Sequence, residues 1–402
     1  MRIDESAGLV RCGYLWASRL RGGRPAVPVR FLGRESVLVG GPDGVRRFYD
    51  PLLRRRGAVP PPVSDVLFGH GSIHGLDGAE HHHQKAMFLD VLAPAAVARL
   101  RDGAREQWRE ATRTWEAGRP VVLFDQAVHV LTATALPWAG VPAEPAGTGR
   151  RAGQLAALLD GFASPGPRYA RAVLARRSLE RWATRLIRAA RAHEVHPRPG
   201  TALAAVVHAH DTHGQLLPER AAAVALLNVV RPMVAVAWFI AFAGIALHHQ
   251  PFWRDLIAAG DPTARAAFAH EVRRRYPFVP VLAARAPTAQ DVLGVGVPDG
   301  GYVILDVHGT DHDPRRWPEP DRFDPGRFLA PPADPDSLVP QGGGDVATGH
   351  RCPGETVTLA MIEQAVEHLA TTGYDLPAQD LRVDLTRIPA RPRSGVVITP
   401  AG

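Results

Sequence analysis

The sequence predicts a mainly α-helical fold with a small β part. Three observations carry this expectation. Residues 84–117, 123–139, 149–163, 167–193 and 218–248 repeat apolar residues at helical spacing within Ala/Leu/Arg-rich runs. Residues 27–41, Val-Pro-Val-Arg-Phe-Leu-Gly-Arg-Glu-Ser-Val-Leu-Val-Gly-Gly, read as a β-hairpin, with further short strands expected at 302–307 and 394–399. Pro/Gly-rich stretches at 143–147, 196–201 and 330–344 separate these runs as loops. No internal repeat or long polar linker interrupts the pattern, so one domain over residues 1–402 is expected.

Composition narrows the class. At 402 residues and 46% apolar, the chain can bury a large core without disulfides. Its two cysteines, Cys12 and Cys352, and an opening Met1-Arg-Ile-Asp-Glu-Ser6 without an apolar signal run, lead to a cytoplasmic expectation. The formal charge is +7, and Lys85 is the only lysine. The arginines read as scattered among acids, so no nucleic-acid partner is expected.

The run from Ala221 to Leu247 is apolar enough to resemble a membrane span, but it carries Asn228, Arg231 and Pro232. A central arginine is costly in lipid, so the segment is read as crossing a protein core, with no membrane span expected. A buried guanidinium needs an anionic partner. No Asp or Glu lies between Glu219 and Asp255. The partner therefore comes either from elsewhere in the chain, as a buried ion pair, or from a ligand.

Near the C-terminus, Gln341-Gly-Gly-Gly-Asp345 leads to Gly349-His350-Arg351-Cys352-Pro353-Gly354-Glu355, and a helical apolar pattern follows. A thiolate where a Gly-rich loop turns into a helix gains from backbone N–H groups and the helix dipole. Cys352 is thus a candidate metal ligand or nucleophile; the plain alternative is a buried structural cysteine. Without other cysteines nearby it cannot form a structural zinc site, whereas a lone thiolate suits heme iron.

Upstream, Leu67-Phe68-Gly-His-Gly-Ser-Ile-His74 precedes Asp77-Gly-Ala-Glu-His81-His-His83-Gln84-Lys85. Adjacent helical side chains diverge, so His81, His82 and His83 cannot chelate one ion. His81 and Lys85 are four apart and can face one target. His82 and His83 are left as surface or packing residues. Glu271 and Arg274 share a helix face in Glu271-Val-Arg-Arg274, a weak pattern by itself.

Together these segments resemble the cytochrome P450 superfamily, and within it the bacterial fatty acid peroxygenases and decarboxylases. The Cys loop, Leu227-Asn-Val-Val-Arg231-Pro232, Glu271-Val-Arg-Arg274, His308-Gly-Thr-Asp-His312 and Asp321-Arg-Phe-Asp-Pro-Gly-Arg327-Phe carry the resemblance, which covers about residues 25–400. Gly326 departs from the usual Glu, and His350 stands where the ordinary loop has Arg. The resemblance implies a heme-thiolate fold with heme b (iron protoporphyrin IX) ligated by Cys352 and hydrogen peroxide as co-substrate. It implies that Arg231 binds a fatty acid carboxylate, which serves as the acid–base group, while Pro232 shapes the helix. His74 and Phe68 would line the substrate side, with His74 donating a proton, positioning the substrate, or merely filling the pocket. His81, Lys85 and His350 would meet the heme propionates. Arg327 would join Glu271 and Arg274. A redox partner would not be required. Members with Gln at the place of His74 mainly hydroxylate at the α or β carbon; a decarboxylating member has His and makes terminal alkenes. The alternatives are a conventional monooxygenase dependent on redox partners, a non-catalytic heme or lipid-binding protein, and a hydrolase with a His-based metal site.

Overall fold

A computed structural model describes residues 3–144 and 147–400. Among these, eight helices have 14 residues or more: α1 Gly78–Val91, α2 Pro94–Arg113, α3 Leu123–Trp138, α4 Gly147–Gly161, α5 Pro167–Arg191, α6 Glu219–His249, α7 Pro262–Arg275 and α8 Glu355–Thr372. Strands β1 Ala26–Phe31, β2 Arg34–Val39, β3 Val281–Arg285 and β4 Tyr302–Asp306 form a sheet in the order β1-β2-β4-β3. The β1–β2 and β3–β4 pairs are antiparallel, and β2 runs parallel to β4.

The helical spacing at 84–117 resolves into two helices rather than one. Pro94 occupies the start of α2, two residues beyond a chain turn at Leu92 that closes α1. Proline has no N–H for the preceding turn and its ring excludes a continuous helix, but it is well suited to a first helical position. The other four expected helical runs fall within a few residues of α3, α4, α5 and α6. The expected strand at 394–399 is found at Val397–Pro400, pairing antiparallel with Val121–Val122 and Tyr374–Asp375. Strand β3 and the hairpin Gln290–Val292/Val295–Val297 carry too few alternating residues to have been read from sequence.

Helix α6 is the axis of the helical core. It packs against α3, α5 and α8, and its side chains are buried on nearly every face. That explains its all-round apolarity: a helix surrounded by protein needs no polar side. It is long and apolar enough to cross a membrane, yet 89% of its most apolar window is buried inside the protein. Pro232 lies within it without ending it.

A second anchor ties α7 to the segment before the Cys loop. Arg274 donates through Nε and Nη2 to Glu271 at 2.7 and 2.8 Å, and both side chains are fully buried. The same guanidinium donates to the carbonyls of Asp311 and Pro320, while Glu271 accepts the Asp324 N–H. Arg327 stands 3.7 Å from Glu271, completing the expected trio. Removing one partner of a fully buried pair strands the other's charge. Glu271→Gln is expected to destabilise the fold by about 3–5 kcal/mol, read as a lower denaturant midpoint. An unchanged midpoint would show that the carbonyls alone satisfy Arg274.

Candidate active site

A cavity of about 300 Å³ lies between α6 and the loop that enters α8. Its wall brings together every site residue expected from the sequence: Phe68, His74, His81, Lys85, Arg231, Pro232, His350 and Cys352. These come from four separate stretches, so the convergence is a product of the fold.

Cys352 sits at the foot of α8, its backbone N–H donating to the Gln341 carbonyl at 3.1 Å. Burial raises the thiol pKa, outweighing the Gly354 N–H, Lys85 and Arg231, which favour the thiolate. The helix terminus alone therefore does not supply the thiolate expected from sequence; a metal ion at the sulfur would, because coordination deprotonates a thiol. The loop is pinned from two sides. Lys85 donates to the carbonyls of Gly349 and Arg351 at 3.0 and 2.6 Å. Fully buried Arg273 of α7 donates to Glu355 at 2.8 Å and to the Gln341 side chain, bracketing Cys352. Gly342, at φ 89°, passes so close to Tyr49 that a Cβ would collide with its hydroxyl, which accounts for the start of the glycine run.

His81 is buried and stacks on His350, with ring centroids 3.9 Å apart. Burial is the first cause that lowers both, His81 to about 4 and His350 to about 3, so both rings are neutral near pH 7. Lys85 is likewise buried and its pKa is lowered by burial. His82 and His83 are exposed, and His83 meets only the His210 carbonyl, at 2.9 Å. Among the described residues no three His, Cys, Asp or Glu side chains are placed to hold a metal ion.

Sequence reasoning missed Arg55. It is buried, its Cζ lies 4.2 Å from the Phe48 ring centroid and 5.4 Å from that of Tyr49, and its Nη1 has no hydrogen-bond partner. Within Arg54-Arg55-Arg56 nothing local distinguishes it.

On the opposite side, Arg231 is 5% exposed. It donates through Nη2 to Asn228 Oδ1 at 3.1 Å, and its Nε has no partner. Burial, then Arg176, pulls its pKa down to about 9, so it is cationic at neutral pH. Among the described residues it has no carboxylate within 4 Å, which settles the choice left open by the sequence against an ion pair within the protein. Asn228 in turn donates to the Phe68 carbonyl at 2.8 Å, linking α6 to the Phe68 loop. Because Pro232 lacks an N–H, the helix bond it would have made to the Asn228 carbonyl is absent.

His74 stacks on Phe68 with centroids 3.9 Å apart and planes 14° from parallel. By surface area His74 is an exposed residue, and it also lines the cavity wall. Burial, then the charge of Arg231, holds its pKa well below the usual range. That direction favours the neutral imidazole, which can donate one hydrogen bond.

The cytochrome P450 family model matches residues 266–370. Over the whole chain, the structure is similar to that of cytochrome P450SP alpha (CYP152B1) in complex with (R)-ibuprophen, with 38% identity, 99% of this chain and 98% of that one covered, and a TM-score of 0.94. The chain belongs to the cytochrome P450 family. Its full-length structural matches include the fatty acid peroxygenase group of that family. A variant of cytochrome P450 OleT in complex with arachidonic acid matches at 34% identity, 99% and 96% coverage and a TM-score of 0.94. Cytochrome P450EX alpha (CYP152N1) with myristic acid matches at 35% identity, 99% and 97% coverage and a TM-score of 0.93. Cytochrome P450 132 of Mycobacterium tuberculosis is 34% identical over 154 residues, 35% of this chain and 32% of that protein. The alignment thus spans about a third of such curated relatives.

A P450 holds heme, and the residues present fit it. The cavity offers a half-buried thiol for iron, apolar walls from Val229, Met233 and Val236 for a macrocycle, and cationic or N–H donors at Lys85, His81 and His350 for its carboxylates; Arg55, whose charge acts on His81 and His350, carries an unpartnered Nη1. The site's free cation gives a direct test. Losing a buried charge-assisted contact costs about 2–5 kcal/mol, roughly tens- to thousands-fold in affinity. Arg231→Ala is expected to keep heme and to weaken fatty acid binding by that factor in a spectral titration. An unaltered titration would remove the carboxylate role.

Proposed function

We propose that this protein is a fatty acid peroxygenase that uses hydrogen peroxide to hydroxylate the α or β carbon, to decarboxylate the acid to a terminal alkene, or both. The observation that carries this reading is Arg231: a buried cation without a carboxylate partner, sharing one cavity with the Cys352 thiol. Two similar structures hold fatty acids, arachidonic acid in one and myristic acid in the other.

Heme bound through Cys352 would supply the oxidation of an unactivated C–H bond, with thiolate donation favouring O–O cleavage. The chain's own residues do the rest. Arg231 presents a planar fork of donors to the carboxylate, fixing the α and β carbons in the cavity. The held carboxylate is itself an acid–base oxygen, in place of an alcohol–acid pair; no Thr occurs from residue 219 to 262. Pro232 and Asn228 shape the helix around Arg231. Phe68 fixes the plane of His74 by stacking, and the neutral His74 donates a hydrogen bond on the substrate side. His81, Lys85, His350 and Arg55 would hold the heme carboxylates.

One peroxide and one fatty acid give a hydroxy acid and a water, or an alkene, carbon dioxide and two waters. No electron-transfer partner enters either balance. The same reading makes residues 1–402 one cytoplasmic P450 domain with its apolar helix inside the protein.

Mass spectrometry after adding peroxide to a fatty acid series is expected to show hydroxy acids together with terminal alkenes. His74→Gln should shift the ratio toward hydroxy acids at unchanged heme content, because both outcomes share the first hydrogen removal and diverge afterwards. Turnover only with NADPH, reductase and ferredoxin would make the protein a conventional monooxygenase. Hydroxy acids alone from the wild type, or an unmoved ratio in the variant, would remove His74 as the determinant.

A further inference from the structure

Helix α5 holds an unusual share of the molecule's charge. Within Pro167–Arg191 there are eight arginines and one acid, Glu180, a net +7 that equals the formal charge of the whole chain. The rest of the protein is formally neutral. Arg171, Leu174, Arg177, Arg181, Arg185 and Arg188 are the exposed members of one stripe along this helix. At 1.5 Å per residue, Arg171 to Arg188 spans about 25 Å. Arg188 is paired with Glu219, but Arg171, Arg177, Arg181 and Arg185 have no acidic partner within 4 Å among the described residues. Leu174, 63% exposed, interrupts the stripe with a large apolar side chain. A concave surface of about 680 Å³ runs along the same arginines.

We propose that this face of α5 docks the enzyme onto an anionic phospholipid bilayer. A row of five guanidinium groups about 25 Å long, four of them without an acidic partner among the described residues, is too extended for one small anion and complements a plane of phosphates; an exposed Leu174 suits a surface with an apolar interior. The helix is also joined to the cavity wall. On its buried side Arg176 donates to the Phe68 carbonyl at 3.3 Å, and Tyr169 donates to the Pro62 carbonyl at 2.9 Å. The docked face thus lies directly behind the segment that lines the site. The choice of a lipid surface rests on the fatty-acid reading, because such substrates partition into bilayers.

The test is co-flotation of the heme-loaded enzyme with vesicles of phosphatidylcholine alone or with about a third phosphatidylglycerol, at low and high salt. Binding to the anionic vesicles only, weakened by salt, is expected. Each surface arginine contributes roughly fivefold in partitioning, so Arg177→Gln/Arg181→Gln/Arg185→Gln should lose about a hundredfold. Removing equal charge elsewhere, as Arg113→Gln/Arg119→Gln/Arg382→Gln, should largely retain binding. Equal loss in both triple variants would overturn a specific face. So would binding to a random duplex oligonucleotide but not to vesicles, which would assign the stripe to nucleic acid, or binding to neither. No peroxide is present, so an enzyme that docks but does not turn over fatty acids fails the earlier reading alone.

Discussion

An unpaired guanidinium inside a helical core is the constraint around which the site is organised. Taking a charge out of water costs several kcal/mol even after relaxation. Among the described residues Arg231 has the Asn228 amide oxygen as its hydrogen-bond acceptor and the Phe68 ring 5.4 Å from its Cζ. Neutral helix side chains on either side give it no relief, and burial lowers its pKa without bringing it to neutrality. A cation so placed discriminates strongly for a ligand that brings a carboxylate, since only such a ligand uses its unsatisfied donors. In the proposed reading, binding energy and acid–base chemistry would then come from the same group.

The other half of the site is a thiol that the protein positions rather than ionises. Lys85 holds two carbonyls of the loop that leads into it, and Arg273 bridges Gln341 and Glu355 on either side in sequence. Arg273 is adjacent in sequence to Arg274, which anchors the Glu271 network. One turn of α7 therefore fixes both the Cys loop and the segment that precedes it. A metal bound at Cys352 would favour its thiolate form, because coordination deprotonates a thiol.

What could be read in the sequence was whatever depends on local pattern: the five helical runs, the hairpin, the Gly-rich Cys loop, and an arginine in an acid-free apolar helix. What could not be read depends on contacts far apart in the chain. Arg55 has its role from two aromatic rings and an orphaned donor, and Asn228 from a carbonyl 160 residues away. The split between α1 and α2 was legible in Pro94, but helical spacing on both sides hid it. The arginine stripe was also written in the sequence; it looked scattered until the helix placed its members on one face.

The central claim is that a ligand carboxylate neutralises Arg231. The most direct measurement is a spectral titration of the wild-type, heme-loaded protein with a fatty acid and with its methyl ester, at matched chain length. The ester retains the apolar tail and lacks the charge. The account predicts that the ester binds more weakly by roughly tens- to thousands-fold, the scale of a lost buried charge-assisted contact. Equal affinity for acid and ester would contradict it.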